Sequence, residues 1–389
     1  MADLTAASAQ WANRPADERF WTVEEMRKAT KRYAQESVEK EDYPLSAVRV
    51  EPQGKELHMM GRSNVPAKFT HWSFGQLCST IKAPAYYLRA LAPTLAAQNI
   101  NYGIKALTDR EQVKVNLYMR SNGEHSVRAF TSDKYTRIFN HNICDKLVEL
   151  ETHGWRLPPA RPGGNTDPRT RPATEADCLK RSGGFWGTIK PGDLIAPAGA
   201  YASDHDMFCF MINENYTIEE PGNPDGLARG FFVRNSEVGA AALTLTTFLY
   251  RHVCSNHIVW DAKDIMTVRV RHVGEAASTK WIYQMRAAIS KYSQRSAAED
   301  QAKIVKARGF IIADKAEGVL DRLFKLDVGS RKMLEAAMVA CAQNPSDGDP
   351  KSAWGMAQGI TRLSQSSEYT DDRAQIDRAA NKVLRMAWD

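Results

Sequence analysis

No run in these 389 residues approaches the roughly 18 uncharged apolar residues that a membrane-spanning helix needs, so no membrane partner is expected. Met1 to Gln10 has neither a basic start nor an apolar stretch, which predicts no secretory leader and a soluble, cytoplasmic chain. Cysteine is sparse: Cys78, Cys144, Cys178, Cys209, Cys254 and Cys341 are scattered, with no CxxC pair. That spacing excludes a zinc ribbon and argues against a disulfide framework, leaving small buried hydrophobes as the expected role. The phosphate-cradling GxxxxGK[ST] and GxGxxG runs are missing, as is the GxSxG nucleophile elbow. Nor is there a strong excess of either charge. Fifty-two basic residues face 46 acidic ones, a net +6, so the distribution of charge matters more than its total.

What is present is ordinary globular material, 43% hydrophobic and 25% charged, long enough for two domains or one large one with additions. Residues 1–66 read as a polar helical lead-in, with Thr22 capping a helix through Glu25 and running towards Val38 before Pro44. Residues 67–155 read as helical hairpins plus a β-hairpin. Thr70 caps a helix bearing Phe74, Leu77, Cys78 and Ile81, Pro84 opens a second, and a third follows Pro93. The first two outline a helix-turn-helix, but Lys82-Ala83-Pro84 is no glycine turn, and a helical hairpin packed on a sheet is the expected arrangement. Val113 to Arg120 alternates as a half-buried strand, turns at Ser121-Asn122-Gly123-Glu124, and returns through Phe130. Asn140 is positioned to cap a helix through Leu150.

Residues 156–184 form a basic Pro/Gly loop or linker, the best boundary in the chain. Residues 185–275 carry strand-like runs at Asp206–Ile212, Gly230–Val233, Leu243–Tyr250 and Met266–Val273, an antiparallel-sheet region. Leu243–Tyr250 is ambiguous, because its length and the preceding alanines also suit a helix. Residues 276–389 are helical: one stripe holds Trp281, Met285, Ala288, Ile289 and Tyr292, another Val319, Leu320, Leu323 and Phe324. Asp349-Pro350 suggests a cap with a first-turn proline, and Thr370 opens a last amphipathic helix. The predicted fold class is α+β, an antiparallel or mixed sheet with flanking helices and a helical C-terminal third.

Arg269 and Arg271 share one face of the Met266–Val273 run, about 7 Å apart, near the spacing of successive phosphates on a single strand. Arg229, Arg234, Arg251 and Lys280 lie near them in sequence, and Lys114, Tyr118 and Arg120 could extend the surface. Basic side chains interleaved with aromatics suit single-stranded nucleic acid, where charge holds the backbone and rings stack on bases. The plain alternative is a solvated outer sheet face. A second cluster has His252, Cys254 and His257 in HxCxxH spacing, with His272 downstream and Asp204, His205 and Asp206 upstream. It could supply a divalent metal with Glu237 as base, but the spacing fits no zinc motif, and buried Cys with hydrogen-bonded His is the alternative. Asn235-Ser236-Glu237 reads first as a turn, with Asn235 or Ser236 capping and Gly239 in a glycine-only conformation; a base or cation ligand at Glu237 is the competing reading.

Five blocks resemble a phage- and plasmid-borne family defined by a domain of unknown function. They are Trp72-Ser73-Phe74-Gly75-Gln76-Leu77-Cys78, the Pro84-to-Leu91 helix, Asn235-Ser236-Glu237-Val238-Gly239, Cys254-Ser255-Asn256-His257, and Trp354-Gly355-Met356-Ala357-Gln358-Gly359-Ile360-Thr361. The resemblance runs from about Phe69 to the end. It implies genomic company, mobile elements with replication and recombination genes, and assigns no role to any residue. The leading expectation is a nucleic-acid-binding protein, acting on single-stranded DNA in recombination, annealing or replication without a cofactor. Binding would use Arg269, Arg271, Arg234, Arg251 and the strand at Lys114, Tyr118 and Arg120. The basic loop, Arg169 and Arg171 included, would close over the strand. A homo-oligomer fits an annealing role, which needs a continuous track. The alternatives are a metal-dependent hydrolase or nuclease on Asp204, Asp206, Glu237, Cys254 and His257, and a non-catalytic phage structural or host-interaction protein. The motifs favour binding over turnover.

Overall fold

The computed structural model describes residues 14–61, 65–107, 112–119, 123–178, 189–221, 223–251, 256–258, 268–365 and 370–388. The chain begins with β1 (Arg19–Phe20), α1 (Val23–Gln35), β2 (Ser37–Pro44), β3 (Arg49–Gln53), β4 (Glu56–Met60) and β5 (Pro66–Phe69). Three helices follow, α2 (His71–Thr80), α3 (Ala85–Ala90) and α4 (Pro93–Lys105), then the hairpin β6 (Gln112–Met119) and β7 (His125–Thr131), and α5 (Asn140–Glu151). Short strands β8 (Arg161–Pro162), β9 (Arg171–Pro172), β10 (Leu194–Ala196) and β11 (Ala200–Ala202) lead into the long β12 (Asp206–Glu220), β13 (Asn223–Ser236) and β14 (Leu243–Arg251). β15 (Asn256–Ile258) and β16 (Val268–Val270) complete the strands. The C-terminal region is helical: α6 (Trp281–Ser293), α7 (Ala297–Gly309), α8 (Ala316–Lys325), α9 (Arg331–Ala342), α10 (Ala353–Gln365) and α11 (Thr370–Trp388). The fold class is α+β.

The main sheet is antiparallel, in the order β1-β11-β12-β13-β14-β15, with β16 also paired to β14. β15 pairs with the Leu249–Arg251 end of β14, and β16 with its Leu243–Leu245 end. A second sheet is mixed, β2-β6-β7-β5-β4-β3, parallel only where β5 meets β7. In a small sheet, β8-β10-β9, two short strands of the Pro/Gly segment flank β10 from beyond it, so that segment is more regular than its composition suggests.

Period-2 alternation gives the main sheet two buried faces. One face, with Met207, Cys209, Met211, Phe231, Val233, Leu243 and Leu245, packs on α1, α5 and α6 through Val23, Met26, Ile143, Leu147, Trp281 and Met285. The other carries Tyr201, Phe208, Phe210, Ile212, Phe248 and Tyr250. The far ends of the long strands contribute Ile218, Leu227 and Leu249 to the core of the C-terminal helices, centred on the fully buried Trp354. The mixed sheet buries Val50, Met59, Ala67, Val115 and Val127 against α2 and α4.

Local signals behave as their chemistry requires. Thr22 accepts a hydrogen bond from Glu25 N at 3.0 Å, and Thr70 forms a capping box with Ser73. The ambiguous 243–250 run is a strand: Gly239, at φ +83°, breaks the chain before the alanines can nucleate a helix. The stripe from Trp281 to Tyr292 is buried as read, whereas Phe324 is exposed. Other expectations are corrected. The lead-in supplies strands to the mixed sheet after α1 ends at Gln35. β6 is not half-buried, since Asn116 and Tyr118 on its second face are as inaccessible as Val115. α10 starts at Ala353, where Ser352 Oγ, and not Asp349, accepts from Gly355 N. The described cysteines, Cys78, Cys144, Cys178, Cys209 and Cys341, are buried free thiols; Cys254 lies outside the described residues.

Candidate nucleic-acid interface

Antiparallel pairing lines up one lateral row across four strands: Phe208 on β12 faces Arg234 on β13, Arg234 faces Thr244 on β14, and Thr244 faces Arg269 on β16. Directly paired residues project to the same side of a sheet, so this row lies on the face away from α1, α5 and α6. The next row holds Phe210, Phe232 and Thr246. Val268 and Val270 pack inward, which turns Arg269 out, and Arg271 is exposed just beyond the strand. Neither Arg269 nor Arg271 joins a carboxylate among the described residues. Arg234 is half-buried, with its guanidinium 5.4 Å from the centre of the Phe208 ring. Arg14 sits at 5.4 Å over the same ring, and is itself held by Asp206 in a two-bonded pair at 2.7 and 2.8 Å. Phe232, Thr244 and Thr246 are half-buried beside them.

The other basic candidates are accounted for differently. Lys114 pairs with Glu41 at 3.3 Å. Tyr118 is only 5% exposed; its hydroxyl donates to Glu36 and its ring meets Tyr33 edge-on, so it cannot stack on a base. Burial, then the bond to Glu36, push its hydroxyl pKa up. Arg229 is buried and bound to Asp300 at 2.8 Å. Arg120 lies outside the described residues, and only the strand position of Arg251 is described, paired in register with Leu227 and Asn256. The described part of the basic loop is not a free arm. Arg156 pairs with Glu214, Arg169 with Glu25 at 2.8 Å, and Arg171 with both oxygens of Asp177 at 2.7 Å while stacking 4.2 Å over Trp21. Its Lys180 and Arg181 lie outside the described residues.

Among the described residues, the donors of the metal alternative are engaged elsewhere. Asp206 is taken by Arg14 and by Ser203 Oγ at 2.9 Å. Glu237 is 1% exposed: Oε2 accepts from Arg128 at 2.9 Å and Oε1 from the backbone N of Asn140 at 2.6 Å. Asp204 holds His205 at 2.7 Å. His272 lies apart, stacked on Tyr135 with ring centres 5.1 Å apart. Among the described residues no group of three or more His, Cys, Asp or Glu side chains is set to hold a metal. Cys254 lies outside them, and His257 is described only as a position on β15.

The Asn235-Ser236-Glu237 block is a structural joint. Ser236 Oγ accepts from Ala240 N at 3.1 Å, Asn235 donates to Ile138 O and to Asn140 Oδ1, and Gly239 takes its positive φ. Glu237, and not Asn140, caps α5. Sequence reasoning missed the Asp204–His205 pair as a unit; their adjacency ahead of a strand was its one signal. No helix among the described residues is long and apolar enough to cross a membrane. No protein-family model, curated protein or solved structure matches this chain.

Proposed function

We propose that this protein binds single-stranded DNA through Arg234, Arg269 and Arg271, at the β16 side of the main-sheet face that lies away from α1, α5 and α6. The observation that carries the reading is the exposure of Arg269 and Arg271 in a structure whose other described candidate arginines are mostly paired with carboxylates. Such cations are the ones that can release counterions when a phosphate chain arrives. Threonine hydroxyls on Thr244 and Thr246 and the half-buried Phe232 supply hydrogen-bonding and stacking surface in the same rows. The reading includes a setting in the cytoplasm of a bacterial host, on a phage or plasmid as the family resemblance implies, and a homo-oligomer that extends the track. It includes no nucleotide hydrolysis.

Fluorescence anisotropy with labelled single-stranded DNA, single-stranded RNA and duplex DNA across a salt series tests it. Single-stranded DNA is expected to bind tightest, with log K falling linearly against log salt. Arg269→Ala/Arg271→Ala should flatten that slope by about 0.7 for each phosphate no longer neutralised. Absence of binding to every nucleic acid at low salt would overturn the proposal; preference for RNA would redirect it.

A further inference from the structure

A cleft of about 810 Å³ opens beside the arginine row, where the mixed sheet meets the Ser236 end of the main sheet. Its position follows from register: the pair Asp206–Ser236 at its wall is two residues, about 7 Å, along β12 and β13 from the pair Phe208–Arg234. One wall is the outward face of the mixed sheet, where His58, Lys68 and Ser126 form a lateral row across β4, β5 and β7. The facing wall is the turn between β11 and β12, with Asp204 and His205. Trp72, in the first turn of α2, closes one side.

Three features of these walls point to a ligand. The charges largely cancel inside the protein: Lys68 pairs with Glu56, Asp206 with Arg14, and Asp204 with His205. An entering group therefore meets hydrogen-bonding atoms more than net charge. His58 lines the cleft half-buried, with Nδ1 shielded and without a partner, so the ring meets an entering group through its other nitrogen. Asp204 holds His205 Nδ1, which fixes the ring and leaves Nε2 for the cleft. Burial opposes charge on His205, but Asp204 outweighs it and the pKa rises, favouring a donor there; burial lowers the pKa of His58, favouring a neutral ring able to accept. The indole N–H of Trp72 is bound to Val238 O at 2.8 Å, so the ring is held in place with 37% of the residue exposed.

We propose that this cleft receives an uncharged nitrogen heterocycle, a nucleobase turned out of the strand held by Arg234 and Arg269, with His58 and His205 reading its edge and Trp72 giving it ring surface. A base edge carries both donors and acceptors, which matches one histidine of each kind, and the cleft volume is within the range of small-molecule sites. The proposal rests on the single-strand reading for the origin of the base, but the pocket itself can be probed without a strand.

The test is calorimetric titration of the full chain with free nucleosides, run in parallel with oligonucleotide binding. Nucleosides are expected to bind, and His58→Ala and Trp72→Ala should each weaken them by about tenfold, the scale of one hydrogen bond or one stacked ring. Trp72→Phe keeps a ring in case Trp72→Ala fails to fold. Arg269→Ala/Arg271→Ala should weaken the oligonucleotide while leaving nucleoside affinity alone. Oligonucleotide binding without any nucleoside binding at millimolar concentration overturns the pocket and spares the strand. Nucleoside binding unchanged in both cleft variants also overturns it. Nucleoside binding with no oligonucleotide binding keeps the pocket and removes the strand as the source of its base.

Discussion

At the scale of single residues, Glu237 shows how a carboxylate in a polar block can belong wholly to the fold. Both oxygens are occupied, one by the buried Arg128 and one by the first backbone N–H of α5, which has no intrahelical partner. Removing the carboxylate leaves a guanidinium buried without its counter-charge, a change of about 3–5 kcal/mol. Glu237→Ala is therefore expected to lower unfolding free energy by about that amount in a urea titration. Glu237→Gln, which keeps an acceptor for Asn140 N, should lose less. A loss under about 1 kcal/mol for the alanine variant would show that the joint is not structural. The turn half of this block was legible in the sequence, because Ser236 and Gly239 act on neighbours a few positions away. Arg128 and Asn140 were not, since a contact across about a hundred residues leaves no trace in local spacing.

The same contrast runs through the elements. Caps at Thr22 and Thr70, the stripe on α6 and the period of the long strands depend on local rules, and the structure follows them. What local rules left open was which face each cation joins. Arg229 and Arg234 stand an odd number of residues apart on β13, so they cannot share a face, and parity alone would have separated them. Arg229 points to the helices, where it donates to Tyr292 O at 2.6 Å and to Asp300 at 2.8 Å, while Arg295 reaches the same carboxylate at 3.0 Å. This joint ties the main sheet to α6 and α7. Asp300→Ala is expected to cost about 3–5 kcal/mol, because two guanidiniums lose their common acceptor. The double variant Arg229→Met/Asp300→Leu should recover much of that loss, since a buried pair replaced by apolar groups is often neutral. Recovery is read by comparing denaturation midpoints of single and double variants; no recovery would mean that the joint orients the helices by its hydrogen bonds.

For the whole molecule, a net charge of +6 describes a surplus left after extensive internal pairing, so pH acts on this protein through buried groups more than through its total charge. His272 is the clearest case: 6% exposed and stacked on Tyr135, it has its pKa lowered by burial to about 4. In the unfolded chain the ring takes up a proton near pH 6.5, while in the fold it resists until about pH 4, so the unfolded state binds more protons between those values. Stability from this group is thus complete above pH 6.5 and falls as the pH drops towards 4. By pH 5 about 2 kcal/mol should be gone. Glu18 works the other way, because burial raises its pKa to about 7; the folded state keeps its proton over an interval where the unfolded state has lost it, and stability falls as pH rises from 4.5. The two slopes partly cancel in the raw profile. Comparison with His272→Asn isolates the first: urea unfolding of both proteins at pH 7 and pH 5 should show the wild-type advantage shrinking by about 2 kcal/mol at the lower pH. An advantage that stays constant would mean that the ring titrates in the fold as it does in the unfolded chain, and that the Tyr135 stack tolerates an imidazolium.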